Sequence, residues 1–326
     1  MSETNLTAPV RDVEPLGVRL RDVGFWADWA AVVGLVALVI VFFIATPAFL
    51  TVGNVEAMLV AAAILVVLAV GQTFVIATAG IDLSIASTMT LGAVMLGWAS
   101  TRGWSIAVAC LLAILASGVV GLVNGLLVAK GRITDFIVTL GTLSAAAGAA
   151  LVISDGKPVQ VPSTFLLRLA SGKVGPFGYS VLVAAAVAIV AHVVLFRTRF
   201  GVHLLATGGD KESARAMGVS IDGMKIAVYT ISGVLAGLAA ILLVARVGAA
   251  EPAANTAFLL NSVAAVVLGG VSLFGGRGTI VGPVVGALLL TALVNGLTIL
   301  GVSQFYQPLA VGIVVVLAAL LTRFQR

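Results

Sequence analysis

ATGGDKESARAMGVSIDGMK, residues 206–225, is the one long polar island between segments apolar enough to live in lipid. It gathers Asp210, Lys211, Glu212, Arg215, Asp222 and Lys225 in a chain only 10% charged. A stretch this polar lies in water. Its local chemistry predicts a short helix: Asp210 can N-cap, Lys211 to Met217 contains good helix formers, and Gly218 sits where a left-handed residue ends a helix. Isolated helices shorter than about 12 residues are marginal in water, so this one needs a surface to dock on. That surface is either the ends of its own membrane helices or a soluble partner, and the island alone does not choose between them.

Outward from the island the chain is almost entirely apolar. Its 326 residues are 61% hydrophobic with a mean hydropathy of +1.21, a composition that excludes an ordinary soluble domain. The expected fold class is all-α: a polytopic membrane protein with about ten transmembrane helices. The apolar runs fall at about Trp29–Ala45, Val55–Thr78, Ile85–Ser100, Ser105–Ala129, Ile133–Ile153, Phe177–Phe196, Met224–Val247, Phe258–Leu273, Thr279–Leu300 and Tyr306–Leu321. Residues 1–25 read as a polar N-terminal tail and 26–326 as one transmembrane domain, with 200–225 as its cytoplasmic loop. The first run starts too late and is too long for a typical signal peptide, so it reads as a retained span.

Basic residues set the orientation. With the N-terminus inside, thirteen of the eighteen Lys and Arg fall in the cytoplasm and five outside. Both termini and the island then lie in the cytoplasm. The connector Ser154–Gly175 lies outside, as a solvated loop or a contact for an extracytoplasmic partner.

The tetrad V-N-G-L occurs at Val123–Leu126 and again at Val294–Leu297, near the ends of the fourth and ninth spans. Those spans run in opposite directions in a ten-span topology, which points to an inverted repeat of spans 2–5 and 7–10. Carrying that offset forward, with a two-residue slip, aligns Asp82 with Glu251. Inverted repeats are a recurrent transporter build, with the pathway between the halves, although channels show such symmetry too.

Several chemistries are absent from the sequence. No GxxxxGK[ST] pattern is present, so if transport needs ATP and magnesium, another chain binds them. Cys110 is the only cysteine, and His192 and His203 have no ligand spacing around them, so neither a disulfide nor a metal site is expected. No nucleophile–base set marks an enzyme. The +5 net charge reports orientation rather than nucleic-acid binding. Gly275-Gly-Arg-Gly278 lacks the strand context of a phosphate loop and reads as a tight turn.

Polar groups in or near the spans are the candidates for a pathway. Asp82, in Thr78-Ala-Gly-Ile-Asp-Leu-Ser84, is either part of a broken helix lining that pathway or a cap on the third helix that begins near Ser84. Gln72, Asn124, Thr139, Asn261 and Asn295 either line it or bond neighbouring helices. Asp135 and Glu56, near span ends, read as interfacially solvated.

Over nearly its whole length after the tail, the chain resembles the permease subunits of bacterial ribose-type sugar ABC importers. The resemblance rests on AGIDLS (79–84), VNGLLVAKGRITDFIVTLGT (123–142), SDGKPV (154–159), FGVHLLATGGDKESARAMGVSIDGMK (200–225), AAVVLGGVSLFGGRGTIVG (264–282) and NGLTILGVSQFYQ (295–307). It implies a permease homodimer or heterodimer in the bacterial cytoplasmic membrane. It also implies a cytoplasmic ATPase with two nucleotide-binding domains, an extracytoplasmic solute-binding protein, and a small sugar or related polyol as cargo. Within the island, Glu212-Ser213-Ala214 with Gly218 resembles the family's coupling loop E-A-A-x-x-x-G, in which Gly209, Asp210, Lys211 and Arg215 take part. Ser213 departs mildly from that pattern, and no Leu-Pro follows. A nucleoside-importing permease of the same kind and an ATPase-independent secondary carrier are the alternative readings.

Overall fold

A computed structural model of the protein describes residues 30–253 and 256–322, so the expected N-terminal tail lies outside the described residues. Among these residues the α-helices in chain order are α1 (Ala30–Ala45), α2 (Val52–Ala77), α3 (Ile85–Thr101), α4 (Ile106–Ala129), α5 (Asp135–Ser154), α6 (Thr164–Ser171) and α7 (Tyr179–Arg197). They continue with α8 (Arg199–Gly209), α9 (Lys211–Ala216), α10 (Ile221–Val247), α11 (Thr256–Leu268), α12 (Val281–Ile299) and α13 (Gln307–Thr322). Each of the ten apolar runs contains one helix. Six of them, α2, α4, α5, α7, α10 and α12, are long and apolar enough to cross a membrane; α1, α11 and α13 are shorter apolar helices. The chain is thus a multi-pass membrane protein.

α2 is the axis of the bundle. Every residue from Ala62 to Ala77 is buried, as expected of a helix apolar on all sides. α10 packs against α2 and, most intimately, against α4. The α4–α10 contact is backbone to backbone: a Cβ on Gly125 would stand 2.7 Å from the Cα of Ile226, and one on Gly237 would stand 2.7 Å from the Cα of Ile114. Small residues at these points let two membrane helices approach closely enough for dispersion to hold them. The opposite face of α4, with Leu111, Leu115 and Val119, is exposed and apolar, as a lipid-facing surface should be.

The connector expected as loop carries structure. Its α6 begins at Ser163, whose side chain accepts from the N–H of Leu166 at 3.4 Å. Strand β1 (Val159–Gln160) pairs antiparallel with β4 (Ala249–Ala250) at the end of α10, and β2 (Lys173–Val174) pairs with β3 (Phe177–Gly178). Glu56, expected to be solvated, accepts from Lys173 Nζ at 2.6 Å.

The island contains the expected helix, α9. The Asp210 carboxylate accepts the Ser213 N–H at 2.6 Å, and Gly218 closes the helix at φ +82°. The backbone hydrogen bond from Ser213 holds the Asp210 carboxyl below its ordinary range. The start of the island differs from expectation, because residues 199–209 form helix α8 rather than loop. α8 ends against the turn at Gly275–Gly276, whose Gly276 N–H donates to Ala77 O at the end of α2 at 3.0 Å.

Candidate translocation site

α2 ends at Ala77 and α3 starts at Ile85, so residues 78–84 connect the two helices, with the N–H groups of Thr78, Ala79 and Gly80 still bonded to Val75 O and Ile76 O in the last turn of α2. Ala79 is forced to φ +54° there. Further polar groups of the segment are satisfied by neighbours on three helices. From α10, Lys225 Nζ donates to Thr78 O at 3.0 Å, Tyr229 Oη to Ile81 O at 3.0 Å and Ser232 Oγ to Asp82 Oδ2 at 2.8 Å. From α5, Asp135 Oδ2 accepts the Ile81 N–H at 3.1 Å. From α2, Gln72 Nε2 donates to Asp82 O at 2.8 Å.

Asp82 is 2% exposed. Its Oδ1 accepts both the N–H of Ser84, at 3.0 Å, and the Ser84 hydroxyl, at 2.7 Å. It therefore holds Ser84, the residue just before α3, and at the same time ties the 78–84 segment to α10. Asn124 Nδ2 donates to Ser84 Oγ at 2.8 Å, and Thr142 Oγ1 donates to Asn124 Oδ1 at 2.6 Å. Thr139 Oγ1 donates to Asp135 O of its own helix at 2.8 Å and reaches Ile81 O at 3.5 Å. Gln72, Asp82, Ser84, Asn124 and Thr139 are thus brought to one buried polar network around the break.

Asn261 and Asn295 are not part of it. Asn295 exchanges amide hydrogen bonds of 2.9 Å with Asn54, pinning α12 to the start of α2. Both residues line cavities in a series whose neighbours share walls. The first, about 460 Å³, lies under the β2–β3 hairpin with Glu56, Lys173 and Arg246 in its wall. The second, about 280 Å³, shares Ala57 and Arg246 with the first and is lined by Asn261, Thr291, Asn295 and Thr298. The third, about 580 Å³, shares Asn261 and Val294 with the second and reaches Ile81 and Leu83 of the break, with Gln304 and Gln307 on its rim. On the other side of the break, Ala79 belongs to a fourth cavity of about 310 Å³ together with Arg132, Asp135, Lys211, Asp222 and Lys225. The break stands between the third and fourth cavities.

Three of these volumes lie in the roughly 300–1,000 Å³ typical of small-molecule sites and the second falls just below it. The side chains of Arg246, Asn261 and Gln304 make no hydrogen bond or ion pair among the described residues, and all three face the first three cavities. Such groups can exchange hydrogen bonds with a hydroxylated solute. Sequence reasoning gave Lys225, Tyr229 and Ser232 no place in the site and read Asp135 as interfacially solvated, whereas its carboxylate holds the Ile81 N–H. The 4- and 3-residue spacing of the first three, which puts them on one helix face, is the signal that marks them.

α9 buries only Ala214, which packs with Val219, Ile221 and Ala206. Lys211, Glu212, Ser213, Arg215 and Met217 are exposed, Met217 to 72%. Of the two docking choices, its own bundle uses one small side chain and leaves the remaining faces open.

A bundle of apolar helices with a bonded 78–84 segment between cavities, and a capped helix with most of its side chains exposed, fits a membrane permease. The chain belongs to the family described as branched-chain amino acid transport system / permease component, whose model matches residues 54–320. It is 39% identical over 297 residues to the ribose import permease protein RbsC of Escherichia coli (strain K12), covering 89% of this chain and 92% of that one. It is 38% identical over 296 residues to RbsC of Bacillus subtilis (strain 168), covering 89% and 91%. The D-allose transport system permease protein AlsC of E. coli (strain K12) is 34% identical over 301 residues, 92% of each chain. The resemblance to ribose-type sugar ABC permeases is borne out by these relatives. No solved structure matches the chain.

Proposed function

We propose that this chain is the membrane subunit of an ATP-driven, binding-protein-dependent importer that moves a monosaccharide or related polyol by alternating access across the bacterial cytoplasmic membrane. α9 is the contact for a separate ATPase with two nucleotide-binding domains, the β2–β3 end receives solute from the binding protein, and a second permease copy completes the unit. The ten helices each cross the membrane, with both termini and α9 on the cytoplasmic side. The observation that carries this reading is α9 itself: a capped helix bearing E-S-A-x-x-x-G, with four charged or polar side chains and Met217 exposed, while its own bundle covers only Ala214.

The solute path runs through the three linked cavities to the break at 78–84 and onward through the fourth. Hydroxyls of the cargo exchange hydrogen bonds with Arg246, Asn261, Thr291 and Gln304. The 78–84 segment closes this route in the present conformation, and alternating access requires a second packing of comparable energy in which it withdraws. No chemistry is needed in this chain.

The test is reconstitution in proteoliposomes with the ATPase and binding protein of the same system. ATP-dependent uptake of a labelled monosaccharide, lost together with ATPase co-purification in Glu212→Ala, supports the assignment. Uptake that persists without any ATPase and collapses with the proton gradient overturns it.

A further inference from the structure

Lys225, Tyr229 and Ser232 rise along one face of α10, and their partners Thr78, Ile81 and Asp82 follow in the same order along the break, at 3.0, 3.0 and 2.8 Å. Lys225 is 6% exposed and Tyr229 is fully buried, so neither bond is shared with bulk water. Two of the three acceptors are backbone carbonyls. Thr78 stands at the end of α2, where carbonyls lack intrahelical partners and a cation is favoured. A movement of α10 along its axis is therefore felt by the backbone of the break and not only by its side chains. A further hold on the same segment comes from α5, through Asp135 and the Ile81 N–H.

The other end of this rail is the short helix. α10 begins at Ile221, four residues before Lys225, and Ile221 and Val219 form the patch on which Ala214 of α9 sits. Lys225 shares the fourth cavity with Lys211 of α9 and with Ala79 of the break. One continuous helix thus touches α9 at its first turn and the 78–84 segment at its second, third and fourth.

We propose that Lys225 and Tyr229 are positioning residues that convert displacement of the 211–216 helix into movement of the 78–84 segment, so that ATPase closure and opening of the solute route are one event. This rests on the reading of α9 as the ATPase contact. Rigid elements carrying two discrete arrangements are the physical means by which sites are coupled over such distances. Tyr229→Phe removes only the hydroxyl that holds Ile81 O. Lys225→Met removes the cation but keeps the stem, and Lys225→Arg keeps a donor.

The experiment uses the full complex in proteoliposomes and records labelled solute moved per ATP hydrolysed, basal ATP hydrolysis, ATPase co-purification and melting temperature. In Tyr229→Phe and Lys225→Met the transport-to-hydrolysis ratio is expected to fall roughly five- to tenfold, the scale of one lost buried hydrogen bond in the coupled step. Basal hydrolysis and co-purification stay at wild-type levels, and Lys225→Arg recovers most of the ratio. An unchanged ratio in both variants overturns the proposal. So does a parallel fall of hydrolysis, uptake and melting temperature, which would make the contacts merely structural. Failure of the wild-type complex to couple ATP to uptake would instead strike the importer reading on which this one rests.

Discussion

Replacing Asp82 tests whether the buried network holds the break. In Asp82→Ala three donors lose their acceptor: the Ser84 N–H, the Ser84 hydroxyl and the Ser232 hydroxyl. Their costs are unequal. A Ser232 hydroxyl can turn back to a carbonyl of its own helix, and Ser84 Oγ still accepts from Asn124. The Ser84 N–H, buried at the start of α3, has no such escape and bears the desolvation penalty of about 1–3 kcal/mol for an unsatisfied group. With smaller contributions from the hydroxyls and the cavity left behind, a loss of about 2–4 kcal/mol is expected. Asp82→Asn keeps an acceptor for Ser84 and offers a donor to the Ser232 oxygen, so it should cost less than about 1.5 kcal/mol. Thermal melting of the purified permease in detergent measures both, beside uptake in proteoliposomes. Equal destabilisation by Asn and Ala would refute the hydrogen-bond argument and assign the effect to charge. Loss of uptake in Asp82→Asn without loss of stability would refute the structural role and return Asp82 to the solute path.

Gln72 shows the opposite balance: its Nε2 bonds Asp82 O, but its Oε1 is buried with no partner among the described residues. Gln72→Met should therefore shift the melting temperature far less than Asp82→Ala, because one bond is lost while one orphan is removed. Gly125→Ala would place a Cβ 2.7 Å from the Ile226 Cα and should destabilise by about 1–3 kcal/mol, whereas Gly141→Ala meets nothing within 4 Å and should be near neutral by the same melting assay. A cysteine at Asn261 in a Cys110→Ser background should react with a small water-soluble maleimide and be protected by transported solute; reaction unaffected by any solute would take Asn261 off the path. Because the folded-state carboxyl of Asp210 is held below its ordinary range, its capping contribution is complete above about pH 4 and is lost as pH falls through the folded value. Amide exchange at Ser213 should accordingly be steady from pH 7 to about 5 and accelerate, relative to a reference amide, only below about pH 4.

Some of these features were legible in the residues and others were not. The short helix at Lys211–Ala216 was readable because capping and left-handed termination are local: Asp210 reaches its own Ser213, and Gly218 needs no neighbour to adopt φ +82°. The ten apolar runs were readable because a membrane segment is specified by length and composition, whatever it packs on. α8 escaped notice because its sequence sits between a span and the polar island. α6 was hidden by the polar connector around it. Asp135 and Glu56 looked alike at span ends, yet one holds the Ile81 N–H and the other pairs with Lys173.

The sequence by itself determined that this is a helical membrane protein with one capped polar helix set between spans, and its motifs carried the family. Only the tertiary structure divided the polar span residues into a packed network around residues 78–84 and a separate set lining cavities. Gln72 and Asn261 are both amides within apolar runs, and nothing in their neighbours in sequence tells them apart. Their roles are decided by which helix stands opposite, and that is set by the close backbone contact of α4 with α10, which brings Lys225, Tyr229 and Ser232 onto the break.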